Sequence, residues 1–392
     1  MRSIRIAVAG LIALAVAMGI GRFAFTPLLP IMQDDVGLSV AAGGWLASAN
    51  YFGYLVGALS AVWMRLRAAH VIRVGLVLIG VTTLAMGVTD EFVAWLILRA
   101  LAGAMSAWVL VFASAWCLEQ LAALQRPSLS GVVFGGVGVG IAATGALCIA
   151  LMHASVGSAQ AWIVFGAFAL ALSAVVWPVF GTDRAAASGS TRRAAGGRFH
   201  WDGESIRLVL CYGAFGFGYI IPATFLPLMA KQAISDPAIF GWCWPVFGAT
   251  ALVSTLGAAV LQKFISDRRL WVVSHLVMAV GVALPVLWSD IGGILLAALF
   301  VGGTFMVIVM VGLREARKVA GVHATGLIAA MTAAFAIGQV AGPLSVSLLA
   351  REDGNLTMAL LVASAVLVIS AYALARPRAR TPPPAKICGD VQ

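Results

Sequence analysis

Charge is what this sequence has least of. Asp, Glu, Lys and Arg together make up 10% of its 392 residues, where a soluble domain carries about a quarter. A water-exposed globular chain is excluded, because there are too few charged side chains to cover its surface. Long polar stretches are missing too, the largest being residues 181–205. The five cysteines, Cys117, Cys148, Cys211, Cys243 and Cys388, form no C-x-x-C pair, so neither a disulfide framework nor a zinc site is indicated. The histidines do not cluster: His70, His200 and His323 fall in loops or span edges, His153 and His275 near span ends. No metal and no cofactor are expected. No nucleophile and base share one depth, which argues against an enzyme.

What is present is apolar: 62% of the residues are hydrophobic. Apolar runs of the ~20 residues needed to cross a bilayer core recur along the whole chain. They predict twelve transmembrane helices, over 6–32, 45–64, 73–89, 92–118, 129–152, 160–180, 206–230, 239–262, 270–288, 291–313, 322–349 and 356–375. Ala15-Val16-Ala17 has the look of a signal-peptide cleavage site. The apolar run continues past it and is echoed later, so it is read as part of the first span. Four cysteines serve as small apolar fillers of spans.

An even number of spans puts both termini on one side. With that side inside, 21 of the 25 Lys and Arg lie in inner segments, two (Lys231 and Arg351) in outer loops, and two (Arg22 and Arg99) within spans. The positive-inside rule then places both termini in the cytoplasm. The net charge of +10 belongs to these loops, and no nucleic-acid partner is implied.

The chain repeats itself at an offset of 197 residues. Ala17-Met18-Gly19-Ile20-Gly21-Arg22 falls on Ala214-Phe215-Gly216-Phe217-Gly218-Tyr219, and Leu29-Pro30-Ile31-Met32 on Leu226-Pro227-Leu228-Met229. Over the sixteen ungapped positions 17–32 six are identical, and Gly44-Trp45 falls on Gly241-Trp242 in the same register. Span 1 therefore repeats as span 7 and span 2 as span 8. The expected organisation is an all-α membrane protein of two pseudo-symmetric six-helix bundles, residues 1–180 and 206–376. A cytoplasmic linker, 181–205, joins them, and a cytoplasmic tail, 377–392, follows. Matched halves around a central cavity are how secondary transporters are built.

Several segments carry a family resemblance. Arg99-Ala100-Leu101-Ala102-Gly103 resembles the R-x-x-x-G motif of the major facilitator superfamily, and Asp267-Arg268-Arg269 resembles its basic gating loop. The first-half counterpart, residues 65–73, keeps basic residues but has His70 at the position of the family's Asp. The run from Gly19 to Met32, Gly-Ile-Gly-Arg-Phe-Ala-Phe-Thr-Pro-Leu-Leu-Pro-Ile-Met, is similar to the first helix of the bacterial YbfB/YjiJ-type branch. The resemblance implies the major-facilitator fold, alternating-access transport and a multi-pass place in the bacterial inner membrane. It does not imply a substrate.

All fifteen Asp and Glu fall in loops or at span edges. No carboxylate remains at mid-membrane, where proton-coupled carriers often place a relay. The charges inside are positive. Arg22 lies roughly 24 Å along span 1, and Arg99 about 10 Å in from the outer end of span 4. A guanidinium in hydrocarbon costs ~2.5–3.5 kcal/mol, so each should face a cavity or a partner. Arg suits a carboxylate or phosphate because its donors form a planar fork. The bland alternative is structural: Arg22 bonding carbonyls loosened by Pro27 and Pro30, with Asn50 or Gln339 helping.

Further cavity candidates are Asn50 and Tyr51 in span 2, Trp108 in span 4, Tyr212 and Tyr219 in span 7 and Gln339 in span 11. Tyr219 occupies the repeat position of Arg22. Trp45, Trp242 and Trp244 read as interfacial anchors. Gly53/Gly57 and Gly136/Gly140 place small residues on one helix face and permit close packing. The sequence thus points to a secondary active transporter for a small organic anion, a carboxylate above all. The partners are the lipid bilayer and a coupling proton or exchanged anion. The alternative is an exporter of drugs or other hydrophobic compounds.

Overall fold

The computed structural model describes residues 2–181, 201–349 and 356–376, except 62, 65, 127, 128, 235, 237, 238, 240, 262, 263, 322 and 323. Most of the expected linker and the whole expected tail lie outside the described residues. Among the described residues twelve long helices make up the fold: α1 (Arg2–Val36), α2 (Val40–Ala61), α3 (Ala68–Ala85), α4 (Phe92–Ala123), α5 (Ser130–His153) and α6 (Ser158–Val176) form the first set. The second set is α7 (Gly203–Ala233), α8 (Cys243–Leu261), α9 (Asp267–Leu287), α10 (Ile291–Ala320), α11 (Ala324–Leu349) and α12 (Thr357–Ala375). No strand occurs among the described residues. Ten of the twelve are long and apolar enough to cross a membrane; α8 has a shorter apolar stretch, Cys243–Ala258. The remaining helix, α2, carries Ser48, Asn50, Tyr51 and Tyr54, all turned inward. Apolar side chains such as Val93, Ile97, Leu210, Val253 and Ile369 cover the outside of the bundle, as a lipid-facing surface requires.

The first helix is not a plain α-helix. Its middle, Ala15–Phe23, winds as a π-helix between α-helical ends Arg2–Leu14 and Phe25–Val36. Pro27 explains why the break sits there: it has no N–H for the Phe23 carbonyl, and its ring crowds that carbonyl. Widening the preceding turns absorbs the clash. Gly37, at φ +65°, ends the helix, and the Leu38 N–H closes it on the Met32 carbonyl at 3.4 Å. The repeat partner α7 runs unbroken through Pro222 and Pro227, so the π segment belongs to one half only.

In lipid there is no hydrophobic drive between helices, and close contact comes from small residues. The α2–α4 pair shows this. A Cβ added at Gly53, Gly57 or Gly103 would run into the backbone of Ala100, Ala104 or Asn50 respectively. The two ends of the Arg99–Gly103 motif therefore have different duties: Gly103 admits the α2 backbone, and Arg99 reaches α1. Gly53→Val is expected to cost about 3 kcal/mol or more through overpacking, seen as a lowered thermal midpoint of the purified protein. An unchanged midpoint would mean that α2 and α4 can separate freely.

The two sets of helices meet along three lines. Ser48 Oγ donates to the Val340 carbonyl at 3.3 Å and Ser347 Oγ to the Ala41 carbonyl at 3.0 Å, joining α2 to α11. On the other side α5 meets α8, where a Cβ at Gly138 would lie 2.7 Å from Leu252 N and 2.8 Å from Gly248 O. Under the repeat, α2 maps on α8 and α5 on α11, so these are equivalent seams. Between them α1 meets α7: Thr26 Oγ1 donates to the Ala223 carbonyl at 3.0 Å, and Asp34 pairs with Lys231. Both pairs are separated by 197 residues, the offset of the repeat. Two positions related by a twofold axis touch only beside that axis, so the pseudo-twofold runs between α1 and α7.

Candidate substrate site

The site starts from the π segment. A π turn displaces backbone carbonyls from the regular ladder, and buried carbonyls need a donor. Asn50 Nδ2 donates to the Gly21 carbonyl at 3.1 Å and to the Arg99 carbonyl at 2.9 Å. Arg99 Nη1 reaches the Gly21 carbonyl at 3.4 Å, and its Nη2 the Arg22 carbonyl at 3.0 Å. Its guanidinium also lies 5.1 Å from the Phe25 ring centre and 5.9 Å from that of Trp162. Arg99 Nη1 and Nη2 are thus occupied by the backbone of α1, and Asn50 Nδ2 by the backbones of α1 and α4, while Arg99 Nε and Asn50 Oδ1 have no hydrogen-bond partner. The structural duty considered for Arg22 falls to these two residues instead.

Arg22 is left without such a duty. Its side chain is 2% exposed, and Nε and Nη2 have no hydrogen-bond partner. No ion pair of Arg22 occurs among the described residues. Its guanidinium carbon lies 4.0 Å from the ring centre of Tyr54, 5.0 Å from Tyr51 and 5.3 Å from Phe23. Each such contact contributes about 0.5–2 kcal/mol, against a desolvation cost of several kcal/mol for a buried ion. The rings soften the penalty without neutralising the charge.

The other half supplies an aromatic wall. Tyr51 and Thr224 share a hydroxyl hydrogen bond of 3.1 Å across the two halves. Tyr219 stacks on Phe215, Phe305 and Phe335, and its hydroxyl accepts from Gln339 Nε2. Tyr212 packs on Phe215, Phe335 and Trp271 in the same cluster. Arg22, Asn50, Tyr51, Arg99, Tyr212, Tyr219 and Gln339 are therefore all interior and arranged about α1 and α7. Trp108 stands apart: it is half-buried, and its Nε1 donates to Ser60 Oγ at 2.9 Å, near the far end of α2. Trp45 and Trp242 are exposed, whereas Trp244 is buried against Phe23 and Phe247 and is no interfacial anchor. Tyr54, Phe215, Phe305 and Phe335 were missed from sequence. Tyr54 is one turn from Asn50, and Phe335 one turn from Gln339, so helical spacing was the available signal.

Comparison with known proteins agrees with this architecture. The family model described as "Uncharacterised MFS-type transporter YbfB" matches residues 14–375. The chain belongs to this family of MFS-type transporters. A curated relative, the "Uncharacterized MFS-type transporter YceJ" of Bacillus subtilis (strain 168), is 34% identical over 94 residues. That stretch covers 24% of this MFS-type transporter and 24% of the relative, so the chain spans about a quarter of that relative's length. The crystal structure of a D-xylose-proton symporter superimposes with TM-score 0.77 at 12% identity, covering 96% of this chain and 98% of that one. A mutant of the nucleoside transporter NupG gives TM-score 0.68 at 14% identity, covering 95% and 99%. At such identities the likeness is one of fold.

In this MFS-type transporter the Asp267-Arg268-Arg269 segment stitches the second set of helices together. Asp267 accepts from Lys318 Nζ at 2.6 Å and pairs with Arg314 at 3.3 Å, both on α10. Arg268 pairs with Glu204 of α7 at 2.8 Å and donates to the Leu374 carbonyl of α12 at 2.8 Å. The Arg269 N–H is capped by Ser266 Oγ at 3.4 Å. None of these contacts crosses to the first set.

At the opposite face the contact does cross. Lys231 pairs with Asp34 and donates to the Pro30 carbonyl at 3.1 Å. Asp34 is largely exposed, so the pair is worth about 0–1 kcal/mol. Lys231→Met is expected to loosen α1 from α7 at this face by up to about five-fold in population. Labelling of a cysteine placed at Thr26 by a water-soluble thiol reagent would read the change. An unaltered rate would show that the helix contacts alone hold this face shut.

Proposed function

We propose that this protein is a secondary active transporter that moves a small organic anion, a carboxylate above all, by alternating access. The moving bodies would be residues 1–180 and 206–376, joined by 181–205. The observation that carries the reading is Arg22: a buried guanidinium beside the axis of the fold, with two nitrogens unpartnered and no carboxylate among the described residues paired to it. Keeping such a charge is costly, and a transported anion is the partner that makes it useful. Arg99 and Asn50 hold the segment that presents it. The distribution of Lys and Arg supports a bacterial inner-membrane protein with both termini cytoplasmic. An inside-negative potential opposes anion uptake by ~2.3 kcal/mol per charge per 100 mV. Uptake therefore needs a co-transported proton or an exchanged anion, whereas export needs neither.

The test is ligand-induced thermal stabilisation of the purified protein. Small carboxylates, neutral sugars, nucleosides and cationic drugs would be compared, and the hits carried into flux across proteoliposomes. Stabilisation and flux confined to carboxylates are expected. Response to sugars or nucleosides alone would overturn the anion reading, and response to cationic drugs would favour an exporter of hydrophobic compounds.

A further inference from the structure

Tyrosine is rare in this chain, which has five. Four of them, Tyr51, Tyr54, Tyr212 and Tyr219, are buried: Tyr51 and Tyr54 lie against Arg22, and Tyr212 and Tyr219 both pack on Phe215 and Phe335. They come from two helices of opposite halves, α2 and α7. Tyr219 is the repeat mate of Arg22, and the Thr26–Ala223 contact shows that mates at this end of α1 and α7 face one another. Arg22 and Tyr219 lie four residues further along, about 6 Å deeper on the same two helices.

The rings around Tyr219 share an orientation. Tyr219 is tilted by 6° from Phe305 and by 8° from Phe335, with centroids 5.7 Å apart in each case. Phe215 lies 5.0 Å from Tyr219 at 26°. Three helices, α7, α10 and α11, thus build one near-parallel set of rings, and Phe335 at its edge is only half-buried. Apolar filling alone does not demand parallel planes, and leucines would fill such a volume as well. Parallel rings gain by stacking another ring against them, about 0.5–1.5 kcal/mol beyond the area buried.

Resting on the reading of Arg22 as an anion anchor, we propose that the transported anion is an aromatic carboxylate. Arg22 holds its carboxylate, and the ring lies against the Tyr219–Phe305–Phe335 wall. The guanidinium fits this geometry from its own side. Lying over Tyr54 at 4.0 Å, it keeps its N–H fork at its rim, where a carboxylate is gripped in the plane. A ligand with a flat ring joined directly to a carboxylate offers one group to the guanidinium and the other to the rings. An aliphatic acid of equal size fills the space without the stacking.

The experiment compares four probes on the purified full-length protein by thermal stabilisation and by direct titration. These are benzoate, cyclohexanecarboxylate, hexanoate and benzamide. Benzoate is expected to bind about five-fold or more tighter than cyclohexanecarboxylate, and benzamide not measurably. Exchanging both Phe305→Leu and Phe335→Leu should bring that ratio below about two, while cyclohexanecarboxylate still binds. The retained binding shows that the variant is folded. If benzoate and cyclohexanecarboxylate bind alike in the unaltered protein, the aromatic preference is overturned and the anion anchor stands. If benzamide matches benzoate, or no carboxylate binds, the anchor falls and this inference with it.

Discussion

Arg22→Gln is expected to stabilise the unliganded protein while weakening carboxylate binding about a hundred-fold or more. The two effects have one cause. In the unaltered protein the guanidinium is buried among Phe23, Tyr51 and Tyr54 with two nitrogens unpartnered. A buried ion without a full partner is destabilising, and its removal returns up to a few kcal/mol. On the proposed reading a bound anion would lose a charge-assisted, two-pronged contact of about 3 kcal/mol, equal to that hundred-fold change. Thermal midpoints of both proteins, measured with and without ligand, separate the two terms. A lower midpoint with unchanged affinity would make Arg22 a scaffold residue. A site that sacrifices stability for binding follows the usual trade-off between the two.

Arg99→Gln should do the opposite. Its Nη1 and Nη2 meet the Gly21 and Arg22 carbonyls of the π segment. The Gly21 carbonyl keeps Asn50 as a donor, whereas the Arg22 carbonyl is left buried and bare. The expected loss is about 2–4 kcal/mol, between an unsatisfied acceptor and a broken charged contact. The thermal midpoint should fall, and amide exchange over 15–23 should quicken, because the wide turns lose their outside support. Combining Arg99→Gln with Asn50→Leu should cost less than the sum of the two, since both act on one stretch of backbone. Full additivity would show that the two side chains work independently. Affinity should fall with stability here, which distinguishes the residue from Arg22.

Much of the fold was legible because it rests on local quantities. Twelve apolar runs gave twelve helices, and the ends moved only by small shifts such as Ala68–Ala85 in place of 73–89. The offset of 197, seen first as six identities, returned as two physical contacts across the axis. The two embedded arginines were evident because charge within an apolar run is conspicuous.

Their roles were not evident. From the sequence, Arg22 and Arg99 are alike: one guanidinium each, in a span, without a nearby acid. Only the folded structure shows that α4 lies against the π segment of α1, so that Arg99 meets two displaced carbonyls while Arg22 meets rings. The parallel wall about Tyr219 was hidden for the same reason, since its rings come from Phe215 on α7, Phe305 on α10 and Phe335 on α11. Composition and period settle where a chain enters the membrane, because each run is matched to the bilayer by itself. Whether a buried donor is satisfied depends on which other helix lies beside it, and that is decided by tertiary packing.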